Sequence, residues 1–271
     1  MNTLDKIVAH KHGEVAHNLT AHPISELEQS PFFARETLSL KSFLLRKDKS
    51  GIITEFKRRS PSKGDINLLA NVEEVTQGYA AAGASGLSIL TDEHFFGGKN
   101  ADLTAGRRVN EIPILRKDFI IHDYQIVEAK AIGADVILLI AECLEKNEVK
   151  ALAKTAKSLG LEVLLEVHSA DQLEKINEYV DILGVNNRNL KDFSVSIQTS
   201  LDLLPMIPKE VLKISESGIS DPQVVLQLKE AGFQGFLMGE HFMNTAAPHL
   251  AAQAFIQKLH QLEDYFQNAI A

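Results

Sequence analysis

Residues 51–66 read GIITEFKRRSPSKGDI. Ile52 and Ile53 open a short apolar run of the kind that makes a buried strand, and Glu55 and Lys57 stand where that run ends. Arg58, Arg59, Ser60, Ser62, Lys63 and Gly64 follow as a basic, hydroxyl-rich loop. In a strand, residues two apart share a face, so this stretch offers a carboxylate and an ammonium side by side with phosphate donors next to them. That combination points to chemistry on an anionic small molecule.

The same pattern recurs along the chain. Short apolar runs occupy 52–57, 87–91, 114–117, 136–140, 163–167, 182–186, 212–216 and 236–239, each followed by a polar loop and a segment of helical period. Asn71 with Glu74, Ser169 with Gln172 and Ser220 with Gln223 read as capped helix starts. Gly83, Gly133, Gly160 and Gly232 read as helix ends just before the next strand. Parallel strands this apolar need both faces covered, which predicts an α/β fold of the (β/α)8 TIM barrel type. A doubly wound open sheet fits less well, because no Gly-x-Gly-x-x-Gly follows any run.

Upstream, Leu4, Ile7, Val8 and Val15 recur at near-helical spacing, Ser25 and Glu28 read as a capping box, and Phe32, Phe33, Leu38, Leu40, Phe43 and Leu44 add a second apolar stretch. No Gly/Ser-rich linker separates these segments from the first strand. The expected organisation is a helical extension, residues 1–50, packed on a barrel of residues 51–271 as a single domain.

Composition narrows the function. The chain has 271 residues, 45% of them apolar and 24% charged, with a formal net charge of -8. An acidic balance argues against nucleic-acid and anionic-membrane partners, so an anionic substrate has to be met by a local cluster of cations. The single cysteine, Cys143, cannot close an internal disulfide and is expected to be a small core residue in a reducing compartment. Asp5, Lys6, His10, Lys11 and Glu14 break any signal-peptide core, and no stretch reaches the length of a membrane span, so a cytoplasmic location is expected. The ten histidines show no zinc-type spacing; no metal site and no cofactor are expected, and His10 and His12 are assigned to a solvated helix face. GGKN at Gly97 lacks the spacing of a Walker loop.

In a parallel barrel the C-terminal strand ends form the active face. They carry Glu55 and Lys57, Thr91 and Asp92, Lys117, Glu166, Asn186 with Arg188, Glu216 with Ser217, and Gly239. One charged residue at a strand end is ordinarily a solvated loop residue. Lys57, Lys117, Glu55, Glu166 and Glu216 all fall at the same end, at positions otherwise apolar, where ions are costly unless paired with each other or with a ligand. Phosphate donors are sought in Ser60, Ser62 and Lys63, and in backbone amides around Gly218 and Gly239 after the last two runs. These residues fit an acid–base enzyme. They also fit another phosphate-binding barrel, a sugar-phosphate isomerase or aldolase, and the phosphate donors alone fit a non-catalytic sensor of a phosphorylated metabolite.

The motifs EFKRRSPSKG, LTDEHFFGG, LRKDF, LLEVH, VNNRNL, SESGI and FLMGE stand in the order found in indole-3-glycerol-phosphate synthases, and the chain resembles that family over nearly its whole length, including the preface LDKIVAHK. The resemblance implies a tryptophan-pathway carboxy-lyase that converts 1-(o-carboxyphenylamino)-1-deoxyribulose 5-phosphate to indole-3-glycerol phosphate. It implies catalytic roles for Glu55, Lys57, Lys117, Glu166, Asn186, Glu216 and Ser217, with Lys117 as acid on the ketone, Lys57 as acid in the dehydration and Glu55 or Glu166 as base. It implies phosphate contacts from Ser60, Lys57, Gly218, Gly239 and Glu240, the last two through backbone amides, an aromatic contact from Phe96, and Arg188 as partner of the substrate carboxylate or of a neighbouring acid. Lys99 and His241 depart from the family pattern. No fused isomerase domain and no obligate protein partner are expected.

Overall fold

In the computed structural model, which describes residues 3–190 and 193–270, eight parallel strands close into a barrel. They are β1 (Ile52–Phe56), β2 (Gly86–Leu90), β3 (Ile114–Lys117), β4 (Val136–Ile140), β5 (Glu162–Val167), β6 (Ile182–Asn186), β7 (Leu212–Glu216) and β8 (Gly235–Met238). Each pairs with its sequence neighbours, and β1 closes the ring on β8 with Ile52 opposite Phe236. The expected runs agree with these strands to within one residue at either end. Lys57, Thr91 and Gly239 lie just past the strands, where the chain turns onto the rim.

The period of two sorts side chains between two cores. Ile52 and Phe56 of β1 face the surrounding helices, in a cluster that also holds Ile89, Leu139, Leu165 and Met238. Ile53 faces the barrel interior with Leu115, Leu138, Leu164, Ile214 and Leu237. Continuing up the interior face, the same alternation sets Glu55, Lys117, Glu166, Asn186 and Glu216 above that apolar layer, and Asn186 lies opposite Glu216 in register.

Of the four helix starts read from capping patterns, one stands as expected and three are corrected. α4 (Val72–Ala81) is capped by Asn71, whose side chain accepts from Glu74 N. α9 (Pro222–Ala231) is capped by Asp221, not Ser220, because Pro222 takes the first helical position, where its missing N–H costs nothing. The segment after β5 is a 3-10 helix, Ala170–Lys175, without a cap bond from Ser169; the Gln172 side chain instead accepts from His168 N and donates to Glu142. The pair Ser25 and Glu28 makes no capping box, since α2 (Ile24–Leu27) is a single turn entered from Pro23 and left at Glu28. Gly83, Gly133, Gly160 and Gly232 all take positive φ at helix ends, as expected.

The segments before β1 reach both ends of the barrel. α1 (Thr3–Ala21) lies at the C-terminal rim, with Thr3, Leu4 and Ile7 on the wall of the main cavity. α3 (Leu40–Leu44) plugs the opposite end. Leu40 and Leu44 join the interior core, and a Cβ at Gly86 or Gly235 would collide with them, so both glycines make room for the plug. Glu162, at the start of β5, holds the plug through Ser39 Oγ at 2.5 Å and Lys41 N at 3.0 Å. Among the described residues no helix is long and apolar enough to cross a membrane.

Asp135 fastens the extension to the barrel from a fully buried position. Oδ1 accepts from Arg35 Nη2 at 2.6 Å and Leu38 N at 2.8 Å, and Oδ2 accepts from Arg107 Nη1 and Ile114 N at 2.8 Å each. Truncation would leave Arg107 buried without its counter-ion. Asp135→Ala is expected to destabilise the fold by roughly 3–5 kcal/mol, read as a lower midpoint in urea unfolding.

Candidate active site

One cavity of about 820 Å3 opens at the C-terminal end of the barrel, and every residue singled out in the sequence for catalysis or substrate contact lines it. At its floor Lys117 Nζ donates to Glu216 Oε2 at 2.6 Å and to Glu166 Oε2 at 3.0 Å. Lys57 Nζ donates to Glu55 Oε1 at 2.6 Å. Two ammonium groups are thus interleaved with three carboxylates, drawn from the ends of four strands.

Burial by itself would lower the pKa of Lys117, but Glu166, Glu216 and Glu55 outweigh it and hold the ammonium charged well above its ordinary range. The two carboxylates that share it diverge. Burial, reinforced by the neighbouring Glu166, pushes Glu216 up despite Lys117. Burial also works to raise Glu166, yet Lys117, His168 and a hydrogen bond from Asn186 overcome it and keep this carboxyl low. The floor therefore holds one committed cation, one committed anion and one carboxyl prone to hold a proton.

Glycine makes this crowding possible. A Cβ at Gly184 of β6 would run into the Glu216 carboxylate, and one at Gly239 would lie 2.5 Å from Glu55 Oε1. Ser217 and Gly218 both take positive φ, 68° and 75°, directly after Glu216, and Ser217 O is held by Asn187 Nδ2 at 3.0 Å. For serine this conformation is strained, and it is the kind of outlier found where function fixes the backbone.

The mouth carries the groups expected from the sequence to meet an anion. Ser60 Oγ lies 3.4 Å from Ser62 Oγ on a two-stranded ribbon after β1. Gly239 precedes α10 (Glu240–Met243), whose own bonds begin with Phe242 N and Met243 N donating to Gly239 O, so the first-turn amides of Glu240 and His241 are left for other partners. The Glu240 carboxylate pairs with Arg188 at 3.2 Å and with Lys63 at 3.3 Å. Of the two partners expected for Arg188, this structure shows the neighbouring acid. Phe96 faces Phe119 with ring centroids 5.9 Å apart. Of the two departures from the pattern, Lys99 is the residue before α5 (Asn100–Arg108), and His241 packs edge-on against Phe242 and Phe255. Cys143 is a half-buried free thiol, pushed up to about 12 mainly by burial.

The sequence reading missed the clasp that holds α1 over the site. Lys11 is fully buried, with Nζ 3.0 Å from Asp92, 2.9 Å from Asp118 and 3.0 Å from Glu14. Asp118 follows Lys117 in the chain, while Asp92 Oδ1 accepts from Phe95 N at 2.8 Å and Phe96 N at 3.2 Å. One cation thus ties α1 to Asp118, next to Lys117, and to the loop bearing Phe96. The signal was legible: Lys11 stands four residues from Ile7 and from Val15, inside the buried stripe of the helix. His10 and His12 are exposed as expected, although His10 also stacks on His94 at 4.4 Å.

Such a site belongs to the (β/α)8-barrel enzymes that act on phosphorylated small molecules. Solved structures agree on the fold: the chain superposes on a tryptophan synthase alpha subunit from Legionella pneumophila with TM-score 0.60 at 15% identity, covering 83% of this chain and 98% of that one. A 3-hexulose-6-phosphate synthase from Salmonella typhimurium gives TM-score 0.60 at 14% identity over 78% and 98% of the two chains. The sequence is more specific. Residues 4–255 match the model of the indole-3-glycerol phosphate synthase family, and the chain belongs to that family. An indole-3-glycerol phosphate synthase from Bacteroides thetaiotaomicron is 48% identical over 94% of this chain and 98% of its own length. One from Polynucleobacter asymbioticus is 44% identical over 92% and 96%.

The clasp gives a pH expectation. Burial works to lower Lys11, but Asp118, Asp92 and Glu14 raise it above its ordinary range; burial works to raise Asp118, but Lys11 and Arg116 hold it down to about 2. A raised lysine contributes fully below its unfolded value of about 10.4, and a lowered aspartate contributes fully above about 3.9. Protection of the α1 amides, measured as exchange relative to the intrinsic rate at each pH, is therefore expected to stay high from about pH 4 to about pH 10 and to fall on either side.

Proposed function

We propose that this chain closes, decarboxylates and dehydrates 1-(o-carboxyphenylamino)-1-deoxyribulose 5-phosphate to indole-3-glycerol phosphate, as a cytoplasmic enzyme of tryptophan biosynthesis. The observation that carries the reading is the floor of the cavity, where Lys117 sits between Glu166 and Glu216 and Lys57 sits against Glu55. Family membership supplies the substrate.

The phosphate is assigned to Ser60, Lys57 and the amides around Gly218, Gly239 and Glu240, and the anthranilate ring to Phe96, with Arg188 near its carboxylate. The ring carbon bearing the carboxylate attacks the ketone carbon as Lys117 Nζ gives its proton to the ketone oxygen. Carbon dioxide then leaves, and the electron pair of the broken bond restores the ring. In the second stage Lys57 protonates the new hydroxyl, which departs as water, while Glu55 or Glu166 takes the proton from the adjacent carbon to complete the indole. Asn186 orients Glu166, and Glu216 with Ser217 holds Lys117 and the following turn in place.

An aldolase would need Lys117 as a neutral amine to form a Schiff base. The three surrounding carboxylates favour the ammonium, which supports the acid role over that alternative. A sensor would have no use for the acid–base floor. Indole fluorescence appearing when purified protein meets the substrate tests the proposal directly, and its absence would sink it.

Lys117→Ala is expected to lower kcat by at least about 10²-fold while substrate still binds, and Lys117→Arg should not restore it because guanidinium hardly gives up a proton. Gly184→Ala is expected to cost on the order of 10²-fold in kcat by displacing Glu216, with little change in the circular dichroism of the fold.

A further inference from the structure

The reaction proposed above consumes a proton from solvent in every cycle. Substrate enters as a carboxylate and that group departs as neutral carbon dioxide, while the ketone oxygen departs as water. Two protons are given, to the ketone oxygen and to the leaving hydroxyl, and one is recovered from the ring carbon. One more has to come from outside, and while substrate fills the mouth it needs a route that does not pass the ligand.

A second chamber of about 200 Å3 lies beside the main cavity, walled by Glu142, His168, Ser169, Asn189 and Thr199 and sharing Asn186, Arg188 and Leu190 with it. It has the size and polarity to hold water. Its outer end reaches the surface at Glu142 and Asn189, both exposed. Glu166 lines the main cavity and His168 lines the second chamber. Glu166 Oε2 accepts from Lys117 Nζ at 3.0 Å, and its Oε1 lies 3.4 Å from His168 Nε2.

His168 is built unlike a structural histidine. Its side chain is only 10% exposed, yet among the described residues neither ring nitrogen has a hydrogen-bond partner. Buried polar atoms are rarely left so unless water or a transferred proton serves them. Its backbone is fixed instead, through His168 N donating to Gln172 Oε1 at 2.8 Å, with Gln172 in turn bonded to Glu142. The charged groups facing the imidazole are Glu166 at the end of β5, Glu142 in the turn after β4 and Arg188 beyond β6.

We propose that His168 is a proton relay that feeds solvent protons from the second chamber through Glu166 to Lys117. The proposal rests on the reaction assigned above. Once Lys117 has given its proton to the ketone oxygen, the cation that keeps Glu166 ionised is gone, and the Glu166 carboxylate takes a proton from His168 Nε2 and yields one to the neutral amine. The other ring nitrogen, buried as the ring stands, takes a proton from chamber water when the ring turns toward it. Imidazole suits the step because it can accept at one nitrogen while donating from the other near neutral pH. The net transfer is one proton from solvent to Lys117, with His168 returned by tautomer exchange.

The test compares wild type with His168→Asn and His168→Gln by indole fluorescence, after circular dichroism has established the fold of each variant. The relay requires kcat to fall on the order of 10²-fold with KM nearly unchanged, a larger solvent deuterium isotope effect, and recovery of turnover on adding imidazole. A fall that imidazole does not reverse, or no fall at all, overturns it, since a residue that merely positions Glu166 would not respond to added imidazole. A second measurement needs no variant. In a single turnover of wild type with enzyme in excess, a pH-indicator dye should report proton uptake before product release and before the carbon dioxide hydrates. Uptake only upon release excludes the relay. If wild type forms no indole from this substrate, the assigned reaction fails and the relay with it; if it forms indole while the His168 variants match it, the relay alone fails.

Discussion

Everything at the C-terminal end of this barrel depends on keeping ammonium and carboxylate groups ionised where water is scarce. Removing either kind of ion from water costs several kcal/mol, roughly, and mutual attraction repays that only when the geometry is close and the remaining polar atoms are satisfied. Lys117 between Glu166 and Glu216 meets the first condition at 3.0 and 2.6 Å. The second is met unevenly: Glu216 Oε1 has no hydrogen-bond partner among the described residues. That shortfall goes with the raised pKa of this carboxyl, and it leaves in the cavity a group whose charge is set by whatever enters.

The apolar layer below makes the cluster affordable. Ile53, Leu115, Leu138, Leu164, Ile214 and Leu237 fill the barrel interior and fix the strands in register, so four ionisable groups arrive on one level without a loop having to hold them. Strand ends place Glu55, Lys117, Glu166 and Glu216, while the segments that follow the strands on the rim carry Ser60, Arg188 and Glu240. The division suits the proposed chemistry, since proton transfer tolerates small errors of position poorly and anion capture at a rim tolerates them better.

Most of this was legible in the sequence because a parallel barrel repeats itself. Each run of apolar residues announced a strand, and a charged residue ending such a run announced the active face, which is how Lys117 and Glu166 were found. Other features were hidden for physical reasons. Lys11 lies in a helix whose charged residues look alike until the buried stripe through Ile7 and Val15 is traced. Gly184 reads as one more small strand residue, and only the barrel's closure shows that it leaves space for Glu216 from the next strand. Helix starts misled where proline intervened: Pro222 moved a cap to Asp221, and Pro23 displaced the pattern at Ser25 and Glu28. His168 stood in a quoted motif, but the approach of its Nε2 to Glu166 with no hydrogen bond to either ring nitrogen is a property of packing that no spacing reveals.

The plug formed by Leu40 and Leu44 bears on how the barrel could ever have stood alone. Because Gly86 and Gly235 lack side chains where those leucines sit, a chain beginning at the first strand would have a drain at its base, with water able to climb toward the hydrocarbon layer. The opening segment is thus a stopper as much as a cover, and the eight strands inherit their dryness from residues that precede them.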